Sequence, residues 1–391
     1  MIKMKLQKTK ENEVYYYYLK NGDKRFMFRH KYVDNLGKRR EKKKSGFKTQ
    51  KDALRSLLEV KAAILSGNNN HIEHSQMTVS QLLDIWVETK KRNWKPSTNR
   101  NYTNAKKHIK RLIGKYKINT LNAATYEREF VNQLFSEGFK PKSILGFHEV
   151  FKTAVNFAVH DEIIFRNRFS NITITLDEEV NNFFTPEELK IFLTTAKTFG
   201  NITQYTLTLL LAYSGMRKGE SLGLKWSDVD FDNNIVTIKR TRDDLGVRPP
   251  KTKNSYRSIQ VDKEVVDQLN KYEKWCIETK FSLGLKHTKD DFLFISENRV
   301  NGIQAAYMNY FLNILYKKMS EQNIKLKKIT VHGLRHTHAT ILIDELIPPT
   351  DIADRLGNTL EMIYRVYAHS FKKVENKTVI AFGNRLKLNI K

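Results

Sequence analysis

Three features of this sequence predict a multidomain α+β protein. At 391 residues the chain is longer than one ordinary core encloses. Its hydrophobic periodicity changes twice, from alternation to long helical repeats and then to a mixture of both. Stretches of turn and linker composition fall at those changes. The expected organisation is a small three-stranded sheet plus helix at 1–66, a linker at 67–76, an all-helical domain at 77–170, a linker at 171–184, and a mainly helical domain with a small antiparallel sheet at 185–391.

The charge names the kind of partner. Lys and Arg number 69 against 42 Asp and Glu, a formal +27, far more than solubility needs, so an extended polyanion is expected. Nucleic acid comes first. A membrane is disfavoured, because no run of about 18 apolar residues occurs and the start, Met1-Ile-Lys-Met-Lys, is too polar for a signal peptide. The single cysteine, Cys276, offers neither an internal disulfide nor a cysteine-based zinc site, in keeping with a reducing, intracellular setting.

Residues 1–66 hold nineteen Lys/Arg and seven Asp/Glu, almost half the excess charge in a sixth of the chain. Strands are expected at 14–19, at 25–32 and near 38–44, with turns at Asn21-Gly22-Asp23 and Asp34-Asn35-Leu36-Gly37. Thr49 then caps a helix over 51–65 with Ala53, Leu54, Leu57, Leu58, Ala62 and Leu65 on one face. Such a basic ribbon suits a DNA groove; the bland reading is an edge guarded by lysines. Tyr15–Tyr18 read as alternating strand positions rather than a stacking platform. His71 and His74, in a linker-like Ser/Gly/Asn stretch, read as solvated residues rather than metal ligands.

Between 77 and 170 the pattern is helical. Thr78 caps 79–90 with Leu82, Leu83, Trp86 and Val87 as its stripe. Pro96-Ser-Thr opens a helix with Tyr102, Ala105, His108, Ile109 and Leu112 inward and Lys106, Lys107, Lys110, Arg111 and Lys115 outward, a one-signed face that suits phosphate. A third helix over 143–161 buries Ile144, Phe147, Phe151, Val155 and Ala158. Thr185-Pro-Glu-Glu188 then has the form of a helix start, with a cap, a proline at the first position and a glutamate at the third.

The last domain carries the chemistry. An apolar helix over 202–213 leads into Ser214-Gly-Met-Arg217-Lys-Gly-Glu220, a turn into a helix at 221–224, where backbone N–H groups and an arginine can face an anion. Strands are expected over 231–241 and 255–261, joined by a hairpin bearing Lys251 and Lys253; a short strand at 290–295 and a helix over 303–321 follow. His332-Gly-Leu-Arg335-His-Thr-His begins a further helical segment, then come Leu356-Gly357-Asn358 and Tyr364-Arg-Val-Tyr367-Ala-His369. Arginines match phosphate oxygens with a planar fork of donors, and a tyrosine oxygen can serve as a covalent nucleophile. The set therefore points to phosphoryl transfer on a phosphodiester.

These four motifs in this order resemble the tyrosine recombinases, most closely the integrases of phages and conjugative elements of Gram-positive bacteria, and the resemblance covers essentially the whole chain. It implies an arm-type DNA-binding domain at 1–66, a core-binding domain at 77–170 and a catalytic domain at 185–391. It further implies that Tyr367 attacks the scissile phosphate to give a 3′-phosphotyrosyl intermediate, that Arg217 and Arg335 clamp the non-bridging oxygens, that His332 assists proton transfer or orients the phosphate, and that Lys251 protonates the 5′-oxygen. Lys253 is the alternative lysine. Tyr364, three residues before Tyr367, would share its helix face; Tyr367 is preferred because Ala-His follows it and because it stands nine residues after Asn358. Asn358 departs from the family, which usually has His or Trp there, and an amide carries neither proton nor charge.

Neither ATP nor a metal is implied, since a covalent intermediate conserves the phosphodiester energy. The implied partners are double-stranded DNA at core and arm attachment sites, three further copies of the chain in a tetramer, and an excisionase; the implied place is the bacterial cytoplasm, at the nucleoid. The tail Ser370–Lys391 is a candidate for exchange between protomers. Two other readings compete. His332 and His336, four apart, mimic a zinc pair, but no Glu follows His332 and Arg335 would repel a cation. A non-catalytic DNA-binding regulator, or an inactive recombinase, would explain the charge equally well but leaves the tyrosine and its basic partners without a purpose.

Overall fold

The structure is a computed structural model that describes residues 6–33, 37–65, 74, 76–177, 181–297 and 300–367. The Asp34–Leu36 part of the second predicted turn, His71, Ala368, His369 and the tail Ser370–Lys391 lie outside the described residues. The chain divides into two compact units, 1–178 and 179–391.

The first unit begins with an antiparallel sheet of four strands rather than three: β1 (Gln7–Lys8), β2 (Val14–Tyr18), β3 (Lys24–Val33) and β4 (Arg39–Phe47), in that order. β1 is only two residues, paired to Tyr15 and Tyr16. No alternation can announce so short a strand; the free edge of β2 creates it. Strict alternation also fails in β2, where Val14 and Tyr17 are buried and Tyr18 is exposed. That helix, α1 (Gln50–Leu65), packs through Ala53 and Leu57, with Leu54 and Val60 partly buried, against Val14, Phe26, Phe28 and Phe47. Leu58 and Leu65, expected on this face, are exposed; Leu58 lies about 100° around the helix from Leu57, beyond the width of so narrow a seam. β4 runs along the outer edge almost wholly exposed, carrying Arg39, Arg40, Lys43 and Lys44.

The helices of this unit are α2 (Val79–Lys90), α3 (Pro96–Ile113), α4 (123–136, with a π-helical middle, Glu127–Asn132) and α5 (Pro141–His160). Thr78 and Gln81 close a reciprocal capping box on α2. Leu82, Leu83, Trp86, Ala105, Ile109, Phe130, Ile144, Phe151 and Val155 form one core. The basic face of α3 is partly consumed internally. Lys106 and Lys110 both grip Asp84, at 2.7 and 2.6 Å, and Arg111 pairs with Glu137 at 2.6 Å. A one-signed helix face read from sequence therefore overstated what is left for phosphate.

The second unit is mainly helical: α6 (Pro186–Phe199), α7 (Ile202–Ser214), α8 (Lys218–Gly223), α9 (Lys263–Ser282), α10 (Tyr307–Glu321), α11 (Val331–Asp344), α12 (Pro349–Leu356) and α13 (360–367). The Thr185–Glu188 capping box is present on α6. Two small antiparallel sheets sit between helices, β5 (Val229–Asp230), β6 (Ile235–Ile238) and β9 (Arg257–Gln260) in one, and the hairpin of β7 (Thr241–Asp243) and β8 (Gly246–Arg248) in the other. Lys251 and Lys253 follow this hairpin rather than riding on it. The predicted strand at 290–295 is reduced to isolated bridges, Lys225 to Phe292 and Ile295 to Gly302, and the helix expected from 303 starts at Tyr307, since Ile303 is drawn into the core.

α7 is buried nearly all round and forms the centre of a large core with Phe192, Leu222, Trp226, Tyr272, Phe311 and Leu334. A second, smaller core joins Ala339, Ile343, Ile352, Ala353, Leu356, Ile363 and Tyr367. α11 belongs to both, its first half in the large core and its second half in the small one. This shared helix carries His332, Arg335 and His336.

Candidate active site

The turn after α7 is shaped by Gly215, whose φ of +62° is left-handed. A Cβ there would lie 2.7 Å from both His338 Cδ2 and Leu356 Cδ2. Gly215→Ala is expected to lose about 1–3 kcal/mol, from backbone strain and overpacking together; a denaturation midpoint equal to wild type would refute this reading of the turn. The tight turn brings the Gly215 carbonyl to Arg335, which donates to it at 2.9 Å and to the Leu356 carbonyl at 2.8 Å. Arg335 is 3% exposed. Its guanidinium is pushed down to about 9 by burial first and by Arg217 next, with Glu220 opposing; it still carries its charge at neutral pH.

Arg217 precedes α8 and is held from both sides. Its backbone N–H and its Nη1 donate to Glu220, at 2.9 and 2.8 Å, and its Nη2 donates to Asn358 Oδ1 at 2.6 Å. Glu220 is 3% exposed and also accepts from Arg257 Nη2 at 3.0 Å. Burial alone would raise its carboxyl; Arg257 and Arg217 outweigh that and hold it below the usual carboxylate range. Neither Glu220 nor Arg257 received a role from sequence. The available signal was the alternation in β9, which puts Arg257 on the same face as the buried Ile259, where an arginine requires a partner.

Asn358 uses its carbonyl oxygen on Arg217, so its NH₂ is the end left to meet an anion. It follows Gly357, another left-handed glycine (φ +63°), where a Cβ would lie 2.7 Å from the Asn254 carbonyl and 2.8 Å from Arg257 Nη1. The 3₁₀ turn Lys253–Ser255 thus runs against the Gly357–Asn358 corner, and Lys251 is exposed two residues before it.

Tyr367 and Tyr364 do not share a face. Tyr367 is 3% exposed and Tyr364 is 50% exposed, because three residues leave about 60° between side chains and the edge of the small core falls in that gap. Burial pushes the Tyr367 phenol up to about 12, with Arg335 and Arg217 pulling it back. Its hydroxyl lies 3.0 Å from His336 Nδ1. His332 stacks edge-on against His336, ring centres 4.8 Å apart, and opens to solvent on its other side. Its imidazolium is disfavoured down to about 4, by the protein packed around it first and then by His336, Arg335 and Arg217. His338 is a packing residue: its Nδ1–H donates to Ala212 O at 3.0 Å while Nε2 accepts from Arg355 at 2.9 Å.

Five of the six sequence candidates therefore cluster where the α7–α8 turn, α11, the 356–358 corner and α13 meet, with Lys251 on the exposed stretch leading to that corner. A buried phenol beside two guanidiniums and an imidazole is built to meet an anion with a nucleophile. Among the described residues no three His, Cys, Asp or Glu converge as a metal-holding group, and no helix is long and apolar enough to cross a membrane.

Comparison with known proteins agrees. Residues 182–373 match the phage integrase family, 14–64 an arm DNA-binding domain and 78–135 the phage integrase N-terminal SAM-like domain. The chain is 27% identical over 360 residues to a tyrosine recombinase XerC-like protein of Caldanaerobacter subterraneus subsp. tengcongensis, covering 85% of this chain and 89% of that one. It is 26% identical over 298 residues to the ICEBs1 integrase of Bacillus subtilis, covering 71% and 76%. In fold it is similar to the Tn1549 transposon integrase solved in complex with transposon right end DNA, with TM-score 0.66 and 22% identity over 78% of this chain and all of that one. A lambda integrase tetramer bound to a Holliday junction gives TM-score 0.56 and 17% identity over 90% and 97%. With three successive matches along its length and the tyrosine–arginine cluster in the last of them, the chain belongs to the phage integrase family of tyrosine recombinases.

Proposed function

We propose that this protein is a site-specific DNA recombinase that integrates and excises a mobile element through a 3′-phosphotyrosyl intermediate. The observation that carries the reading is the buried Tyr367 hydroxyl held beside Arg335, Arg217 and His336. Tyr367 Oη attacks phosphorus; Arg217, fixed by Glu220 and Asn358, and Arg335, fixed by two carbonyls, hold the non-bridging oxygens as negative charge develops. The Asn358 NH₂ adds a neutral donor, His332 orients the phosphate from the open rim, and Lys251 delivers a proton to the departing 5′-oxygen. The exposed basic edge of β4 suits arm-site phosphates, and assembly as a tetramer on two duplexes suits exchange of strands between them.

The test is a nicked suicide duplex carrying core sequence from the DNA flanking the gene. A protein–DNA band that survives SDS, with the DNA mapped to the peptide containing Tyr367, is the expected result. Binding without any such band on the flanking cores would favour a non-catalytic regulator. On the same duplex Arg335→Lys should slow adduct formation about 10²–10³-fold, since one ammonium cannot keep both carbonyl contacts and the fork toward phosphate; an unchanged rate would remove Arg335 from the clamp.

A further inference from the structure

We propose that His336 takes the proton from Tyr367 during strand cleavage and returns it during rejoining. The inference rests on the recombinase reading of this site and assigns a step that the His332–Arg335 motif leaves to His332.

The geometry distinguishes the two histidines. His336 Nδ1 is 3.0 Å from the Tyr367 hydroxyl, within reach for direct transfer. His332 meets the ring of His336 edge-on and faces the solvent rim, where DNA would lie. They stand four apart on α11, so both project from one face, and His336 is the one placed against Tyr367 of α13, ring centres 5.6 Å apart. Asn358 cannot substitute, because an amide accepts no proton and its oxygen is already held by Arg217.

Electrostatics sets the direction. The transfer uses the tautomer in which the Tyr367 O–H donates to Nδ1 and the imidazole carries its hydrogen on Nε2. A phosphate seated on Arg335 and Arg217 brings negative charge beside the Tyr367–His336 pair, which favours the imidazolium. Proton transfer is thereby coupled to correct placement of DNA. As the Oη–P bond forms and the P–O5′ bond breaks, the phenolic proton moves to His336 Nδ1 and Lys251 supplies one to O5′. Rejoining reverses each movement: the attacking 5′-hydroxyl gives up its proton toward Lys251, and the tyrosyl oxygen recovers its own from His336.

The test uses the full-length chain and the nicked duplex on which the wild type forms its adduct. His336→Ala and His336→Gln should bind this duplex as wild type does and form adduct about 10²–10⁴-fold more slowly. Glutamine keeps an acceptor for the Tyr367 hydroxyl but no basic nitrogen, so it separates proton transfer from positioning, and it decides alone if the alanine variant does not fold. Tyr367→difluorotyrosine, which acidifies the phenol, should recover most of the loss in the His336 background. A bridging sulfur at the 5′ position, which removes the need to protonate the leaving group, should rescue Lys251→Ala and not His336→Gln. A near-wild-type rate in His336→Gln, or rescue of that variant by the sulfur, overturns the assignment. Absence of adduct with the wild-type chain defeats the recombinase reading instead.

Discussion

Tyr367→Phe is expected to remove the SDS-stable adduct entirely while leaving binding to the core duplex intact, and Tyr364→Phe is expected to keep the adduct. The first variant loses a single oxygen. Its ring stays packed with Ile343, Ile352 and Ile363 in the small core, and the hydrogen bond to His336 contributes only about 1 kcal/mol, so the fold should survive while the proposed nucleophile is lost. Tyr364 is half-exposed, about 60° around the helix from Tyr367 and past the edge of the small core. Gel electrophoresis after denaturation, beside a mobility-shift assay for binding, reads both effects. An adduct that persists in Tyr367→Phe and vanishes in Tyr364→Phe would exchange the two assignments.

Glu220→Ala should destabilise the catalytic unit by about 3–5 kcal/mol, the range for removing one partner of a buried ion pair. Two guanidiniums, Arg217 and Arg257, converge on this carboxylate, and without it they repel each other in a poorly solvated site. The same network gives stability a pH dependence. The Glu220 carboxyl is depressed in the folded state, so its contribution is fully present above the unfolded carboxylate range, near pH 4.3, and is lost as pH falls through the lower folded value. Glu220→Gln removes that contribution, so its melting temperature should lie below wild type at neutral pH and converge toward it in acid. Calorimetry between neutral pH and about pH 3 measures the difference. Parallel curves for the two proteins would mean that the carboxylate charge does not hold Arg217 in place.

Much of the architecture was legible because it is encoded locally. The Thr78 and Thr185 caps name the starts of α2 and α6 within a few residues, through hydrogen bonds that each segment makes with itself. What escaped was set by distant neighbours: the edge of β2 that recruits β1, the narrow sheet face that leaves Leu58 in solvent, and the core that pulls Ile303 out of α10. The lysine-rich face of α3 misled for the same reason, since Asp84 and Glu137 that neutralise part of it lie 22 to 26 residues away from their partners.

The order of the four motifs by itself pointed to the proposed chemistry: an arginine in a glycine turn, a lysine-bearing stretch, a His-Gly-Leu-Arg helix and a terminal tyrosine suit a phosphodiester and a tyrosine that attacks it, because residue type fixes charge, donor geometry and nucleophilicity. Only the tertiary structure decided which tyrosine is buried beside the arginines, that Glu220 holds Arg217 while itself paired with Arg257, that Asn358 is tied to that arginine by its oxygen, and that His336 meets the Tyr367 hydroxyl. Most of these relations join residues 31 to 141 apart in the chain, made by packing two cores onto one shared helix, and no local pattern encodes a distance of 3 Å between side chains that meet only after folding.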